Sequence, residues 1–169
     1  MLRLVKLNKD NFDLLIDMLD EWTAAEESVV PYAIVKNDYH NKEKYLSELE
    51  IKERDSRLVP DSTFFLYDDE RNIFIGACNI RHYLNERLLQ GVGHIGDGVR
   101  PSERRKGYGT KLVALALDEC KKLGIPRVLM CCNKTNIPSM KTIVSNGGVL
   151  ENTVEFEGKE MMRFWIELK

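Results

Sequence analysis

The chain has 169 residues, with 25 Lys and Arg against 27 Asp and Glu, a formal net charge of −2, and 43% hydrophobic and 31% charged residues. A chain of this size fits one domain that buries about two-thirds of its unfolded surface. The near balance of charge excludes general nucleic-acid binding, which needs a basic excess. No apolar run reaches the roughly 18 residues of a membrane span.

Met1-Leu2-Arg3-Leu4 leads directly into charged sequence, so no signal peptide is expected. Leu2 to Leu7 alternates as a short strand. Asn8 or Asp10 then caps a helix with Phe12, Leu15, Ile16, Leu19 and Trp22 on its apolar face. An irregular stretch through Pro31 follows, and a more polar helix is expected from about Asn41 to Arg54. The runs Thr63–Tyr67 and Ile73–Ile80 flank a turn-like segment and read as a hairpin.

After a short segment around Asn85 to Gln90, a strand is expected from Gly93 to Val99. A helix from about Lys106 to Leu123 follows, striped by Leu112, Val113, Ala116, Leu117 and Cys120 and ended by Gly124. Arg127 to Cys132 reads as a buried strand and Asn136 to Asn146 as a short helix with Pro138 in its first turn. A hairpin around Glu157-Gly158 closes the chain. Strand, helix and strand across residues 93–132 imply a right-handed parallel crossover in a mixed sheet. No linker or repeat divides the chain, so residues 1–169 are read as a single domain.

The four cysteines, Cys78, Cys120, Cys131 and Cys132, form no C-x-x-C pair. They read as reduced thiols of a cytoplasmic protein, and no metal site is expected.

Three segments could hold a phosphate. Gly91 to Gly96 spells G-x-G-x-x-G, but Asp97-Gly98-Val99-Arg100-Pro101 follows it and cannot open the helix that a dinucleotide fingerprint requires. Gly109-Thr110-Lys111 lacks the residue order of a P-loop. Arg104-Arg105-Lys106-Gly107-Tyr108-Gly109 remains. Its glycines let main-chain N–H groups approach a ligand at a helix start, where unpaired donors and the helix dipole favour an anion. Three cations stand ready to pair with it.

These residues resemble the R/Q-x-x-G-x-G/A motif of the GNAT acetyltransferase superfamily. Val99-Arg100-Pro101 is similar to that family's V-x-P at the end of the fourth strand, and Asn136-Ile137-Pro138-Ser139 to its N-x-x-A/S. The order of elements agrees from Leu2 to Leu168. The resemblance implies an α/β GNAT-like fold, with a central, mixed and mostly antiparallel sheet of six to seven strands and about four helices, strands four and five splayed. It implies acetyl-CoA as co-substrate. Val99 would hold the acetyl carbonyl through its N–H, and Arg105 to Thr110 (Arg105, Lys106, Gly107, Tyr108, Gly109 and Thr110) the pyrophosphate. Arg100 and Arg104 flank them, and Asn136 and Ser139 approach the pantetheine. Asn136 would equally serve as a plain helix N-cap, and Ser139 as first-turn surface.

An amine acceptor, with a pKa of about 10, must lose a proton before it attacks. Asp97 and His94 are the alternatives for the base, beside a group outside the strand. Three positions apart, they face opposite ways in a regular strand, and a bulge would change that. The family often places a tyrosine acid seven residues after the Asn of N-x-x-A/S, and here that residue is Ile143. Tyr108 is expected in core or adenine-side packing. Trp22, Tyr32, Tyr39, Glu26 and Glu27 flank the segment where the family shapes its acceptor pocket.

The expected function is transfer of acetyl from acetyl-CoA to a primary amine, on a small molecule or a protein, by direct attack in a ternary complex. The alternative is a catalytically silent acyl-CoA-binding regulatory or sensor module. No nucleic-acid or membrane partner is expected, and a homodimer stays open.

Overall fold

A computed structural model describes residues 1–53 and 58–169. The elements are β1 (Leu2–Val5), α1 (Phe12–Ala24), α2 (Lys42–Glu48), β2 (Asp61–Asp68), β3 (Ile73–Arg81), α3 (Glu86–Gly91), β4 (Ile95–Val99), α4 (Tyr108–Lys122), β5 (Arg127–Asn133), α5 (Ile137–Ser145), β6 (Val149–Phe156) and β7 (Lys159–Glu167). Short 3₁₀ turns occupy Tyr32–Ile34 and Pro101–Glu103.

Alternation along the β2–β3 hairpin builds two cores. Phe65, Phe74 and Ala77 turn to one face, where Phe12, Leu15, Leu19 and Trp22 of α1 and Tyr45 of α2 cover them. Leu66, Ile75 and Cys78 turn to the other, under the stripe Leu112, Val113, Ala116, Leu117 and Cys120 of α4. That second core continues into Val128, Met130, Phe164 and Ile166, so α4 packs across both sheets. Because β3 is covered on both faces, its sequence is a nearly unbroken apolar run.

The strands divide into a four-stranded sheet in the order β1-β2-β3-β4 and a three-stranded sheet in the order β5-β7-β6. Every ladder among the described residues is antiparallel. The parallel crossover expected across residues 93–132 in one mixed sheet is corrected in this respect: β4 and β5 form no ladder and lie splayed in two sheets. The chain just before β4 meets β5 in one isolated antiparallel bridge, Gly93 to Met130. Gly93 has φ +83°, and the His94 side chain then takes the Leu129 N–H at Nδ1, 3.0 Å away. The ladder stops there, and the strands separate beyond it.

Two other expectations shift. Five α-helices form among the described residues rather than about four, because Asn85 caps α3 by accepting the Leu88 N–H at 2.9 Å. Six residues are too few to show a helical period. The polar helix expected to reach Arg54 ends at Glu48, and Arg54 itself lies outside the described residues. Just beyond that end, Glu50 accepts the Thr63 N–H at 2.7 Å and pairs with Lys6, drawing the chain onto the sheet.

Candidate active site

Two cavities meet where β4 leaves β5. The first, about 540 Å³, is lined by Val30, Asp97, Gly98, Val99, Glu103, Arg104, Arg105, Gly107, Tyr108, Gly109, Thr110, Asn136, Pro138, Ser139 and Thr142. The second, about 580 Å³, opens on the other side and shares Val30, Asp97, Asn136 and Ser139 with it. A ligand in one thus reaches a ligand in the other past Asp97.

The loop before α4 is shaped for an anion by its backbone. Arg105 has φ +62° and Gly107 φ +84°, a pair of left-handed residues that curl the chain ahead of the helix. A Cβ on Gly107 would meet nothing within 4 Å, so glycine answers to the dihedral there and not to space. The first bond inside the helix runs from the Lys111 N–H to the Gly107 carbonyl, 3.2 Å. The N–H groups from Arg105 through Thr110 find no acceptor among the described residues.

The cations of this loop are mostly engaged elsewhere. Arg104 donates from Nε to the Val99 carbonyl at 3.1 Å and pairs with Glu27 at 2.6 Å, although it still lines the cleft. Lys106 reaches Glu103 at 3.4 Å and lies off the cleft wall. Arg100, expected beside the cofactor, turns the other way. It is buried under α1, where it bonds Asp17 at 3.0 Å, Glu21 at 3.1 Å and the Phe74 carbonyl at 3.0 Å. The reason is alternation. Its N–H donates to the Ile75 carbonyl, so the Val99 N–H, one residue earlier, faces away from β3 toward the splay.

The sequence reading missed a brace behind the loop. Arg71, in the β2–β3 turn, grips buried Glu103 through both terminal nitrogens at 2.9 and 3.1 Å, holds Asp68 at 2.6 Å and donates to the Tyr108 hydroxyl at 3.2 Å. The Arg71 guanidinium holds the Glu103 carboxyl below its ordinary pKa. An acid 32 residues from its partner, as Glu103 is from Arg71, leaves no local signal.

The two alternatives for the base part company. His94 is buried and lines neither cavity. Its backbone N–H donates to the Leu129 carbonyl at 2.8 Å, its Nδ1 accepts from Leu129, and burial with Arg81 nearby lowers its pKa to about 4. Asp97 lines both cavities, and its carboxylate has no hydrogen-bond or ion-pair partner among the described residues. Burial raises its pKa to about 6.

Asn136 accepts the Ser139 N–H at 3.2 Å as the N-cap of α5, and both residues line both cavities. Ile143 is fully buried in the α4 core, while Thr142, one residue earlier, faces the cleft. The thiols are passive, since burial pushes Cys120 and Cys131 up to about 12 and Cys78 higher. Among the described residues no three His, Cys, Asp or Glu side chains gather as metal ligands, and no helix is long and apolar enough to cross a membrane.

The model of the acetyltransferase (GNAT) family matches residues 16–145, and the chain belongs to that family. It is an acyltransferase by family and fold. Solved structures agree in fold at low identity. The ribosomal-protein-S5-alanine acetyltransferase of Vibrio fischeri shares 15% identity at a TM-score of 0.67, over 98% of this chain and 91% of its own. A spermidine N-acetyltransferase SpeG chimera from Vibrio cholerae and hSSAT shares 18% at 0.64, over 98% and 95%. The yncA protein of Salmonella typhimurium, solved with its cofactor acetyl-CoA, shares 13% at 0.64, over 99% and 94%. No curated protein sequence matches the chain.

Proposed function

We propose that the chain transfers the acetyl group of acetyl-CoA to a primary amine by direct attack, with the acetyl donor in the cleft beside α4 and the amine in the cavity across β4. One observation carries this reading: Asp97, an unpartnered carboxylate, stands at the junction of the two cavities. A carboxylate raised to about pH 6 is largely ionised at neutral pH and basic enough to take a proton.

Acetyl-CoA supplies the activated acyl group. The N–H groups of Arg105 to Thr110 bind its pyrophosphate, aided by the helix dipole. The Val99 N–H, turned away from β3, donates to the acetyl carbonyl oxygen and stabilises negative charge as it develops there. Asp97 receives the amine proton, directly or through one water, as the nitrogen bonds to the acetyl carbon and the carbon–sulfur bond breaks. The electron pair of that bond leaves on sulfur. A thiol of pKa about 8.5 departs tolerably as thiolate, so a buried Ile143 in place of a tyrosine acid does not block the step.

Free cysteines, three of the four buried, fit a reducing cytoplasmic location. The test is thiol release from acetyl-CoA with a panel of amines. Release that depends on both amine and Asp97 is expected. Acetyl-CoA binding without amine-dependent release would make the chain a silent acyl-CoA-binding module.

A further inference from the structure

The cavity across β4 contains a charge that the reaction leaves unused. Arg81, at the end of β3, lines it and is partly buried. Among the described residues its guanidinium makes no hydrogen bond and no ion pair. Arg87, also on the wall, is bridged to Glu157 at 2.9 Å, and buried Arg100 elsewhere in the molecule has two carboxylates and a carbonyl. Asp61 sits opposite Arg81 in the ladder, but its Oδ1 accepts the Ile51 N–H at 2.7 Å. An arginine stays charged in proteins, so a guanidinium withdrawn from water without a partner is costly. Burial lowers its pKa, and the charge of Asp61 across the ladder opposes that shift without forming an ion pair.

The adjoining chain leaves that guanidinium open to the cavity. A Cβ on Gly96 would lie 3.5 Å from both terminal nitrogens of Arg81, and Gly96 has none. Gly96 is the immediate neighbour of Asp97, with Cα atoms about 3.8 Å apart. A planar fork of donors therefore lies within a small molecule's length of the proposed base. A guanidinium fork matches a carboxylate through two parallel hydrogen bonds.

We infer that the acceptor is a small amine carrying a carboxylate, an amino acid in the simplest case, with the carboxylate on Arg81 and the amine at Asp97. A polyamine would put further positive charge against Arg81. A protein N-terminus would bring a neutral peptide group where the charge is needed. This inference rests on the acetyl-transfer reading above.

The experiment compares L-methionine, L-phenylalanine and L-glutamate with their α-carboxamides, and with spermidine, by thiol release and by calorimetric binding in the presence of coenzyme A. The amide keeps the amine and most of the shape, and removes the charge. Free acids should exceed their amides by about 10- to 100-fold in kcat/KM, the range for a hydrogen bond to a charged group. In Arg81→Gln that ratio should collapse toward one, and Arg81→Lys should keep part of it. With no acceptor present, Arg81→Gln should melt higher than wild type, since it removes a partly buried charge that has no ion-pair partner among the described residues. Equal rates for acids and amides, a preference for spermidine, or an unchanged ratio in a folded Arg81→Gln would overturn the inference. If no amine is acetylated, the acetyl-transfer reading fails by itself. Acid-selective binding that depends on Arg81 would then uphold the anion site, and its absence would overturn it.

Discussion

On one side of Asp97 the cavity wall comes largely from a single stretch, Val99 to Thr110, which offers main-chain N–H groups. On the other side the wall is assembled from Pro31, Arg81, Gly96, Cys131, Phe156 and Met161, which lie on separate strands and a loop. The first wall offers backbone donors, so its side chains are free to take other partners, and Arg104 and Lys106 do. The second offers side chains, and on the inference above one of them, Arg81, sets what fits. A donor common to many enzymes suits the first construction, and an acceptor particular to one suits the second.

Asp97→Asn should have the largest effect, lowering kcat by about 10²- to 10⁴-fold, the usual loss for a general base, with acetyl-CoA affinity unchanged. The wild-type rate should fall as pH drops through about 6, because only the ionised carboxylate accepts a proton. The same shift acts on stability in the opposite sense. The folded state binds this proton more tightly than the unfolded state does, so ionising Asp97 works against folding, and increasingly so between about pH 4 and pH 6. Asp97→Asn should therefore melt higher than wild type at pH 7.5 and lose that advantage at pH 4. Collapse of turnover in His94→Gln, with Asp97→Asn active, would move the base to the other residue.

Arg100→Met should separate the motif's architecture from its chemistry. Removing the guanidinium takes a donor from the Phe74 carbonyl and the countercharge from Glu21, which keeps only its bonds from Ser102, and a cost of about 2–3 kcal/mol is expected. In a chain of this size that lowers Tm by about 5–10 °C. Acetyl-CoA affinity by calorimetry should stay within about twofold, and a large loss would mean that Arg100 serves the cofactor after all.

Gly109→Pro removes one of the unpaired N–H donors at a first-turn position where proline is tolerated. Acetyl-CoA affinity should fall by about 10-fold or more, with far-UV circular dichroism unchanged. Retained affinity would break the assignment of pyrophosphate to the backbone.

Tyr108→Phe should show the smallest effect, a few-fold at most in kcat. Its hydroxyl is engaged by Arg71 and is not needed as an acid if thiolate leaves unaided. A bell-shaped kcat profile whose upper limb vanishes in Tyr108→Phe would instead identify Tyr108 as the proton donor.

The sequence by itself determined what is local. The loop from Arg104 to Gly109 was legible because its requirements, left-handed dihedrals and free N–H groups at a helix start, are met by neighbouring residues. Most elements were legible for the same reason, since period 2 and period 3.6 persist over a strand or a long helix, and α3 was missed because it is too short to show one. Asp97 was visible as an acid in an apolar strand, but nothing local separated it from His94. The tertiary structure distinguishes the two, giving the His94 ring an N–H from Leu129, 35 residues away, and leaving the Asp97 carboxylate without a partner among the described residues. It likewise decided that the sheet splits after one bridge at Gly93, that Arg100 turns into the α1 interface, and that Arg81 has no ion-pair partner among the described residues. Each depends on which distant chain arrives opposite a given residue, and neighbours in sequence carry no record of that.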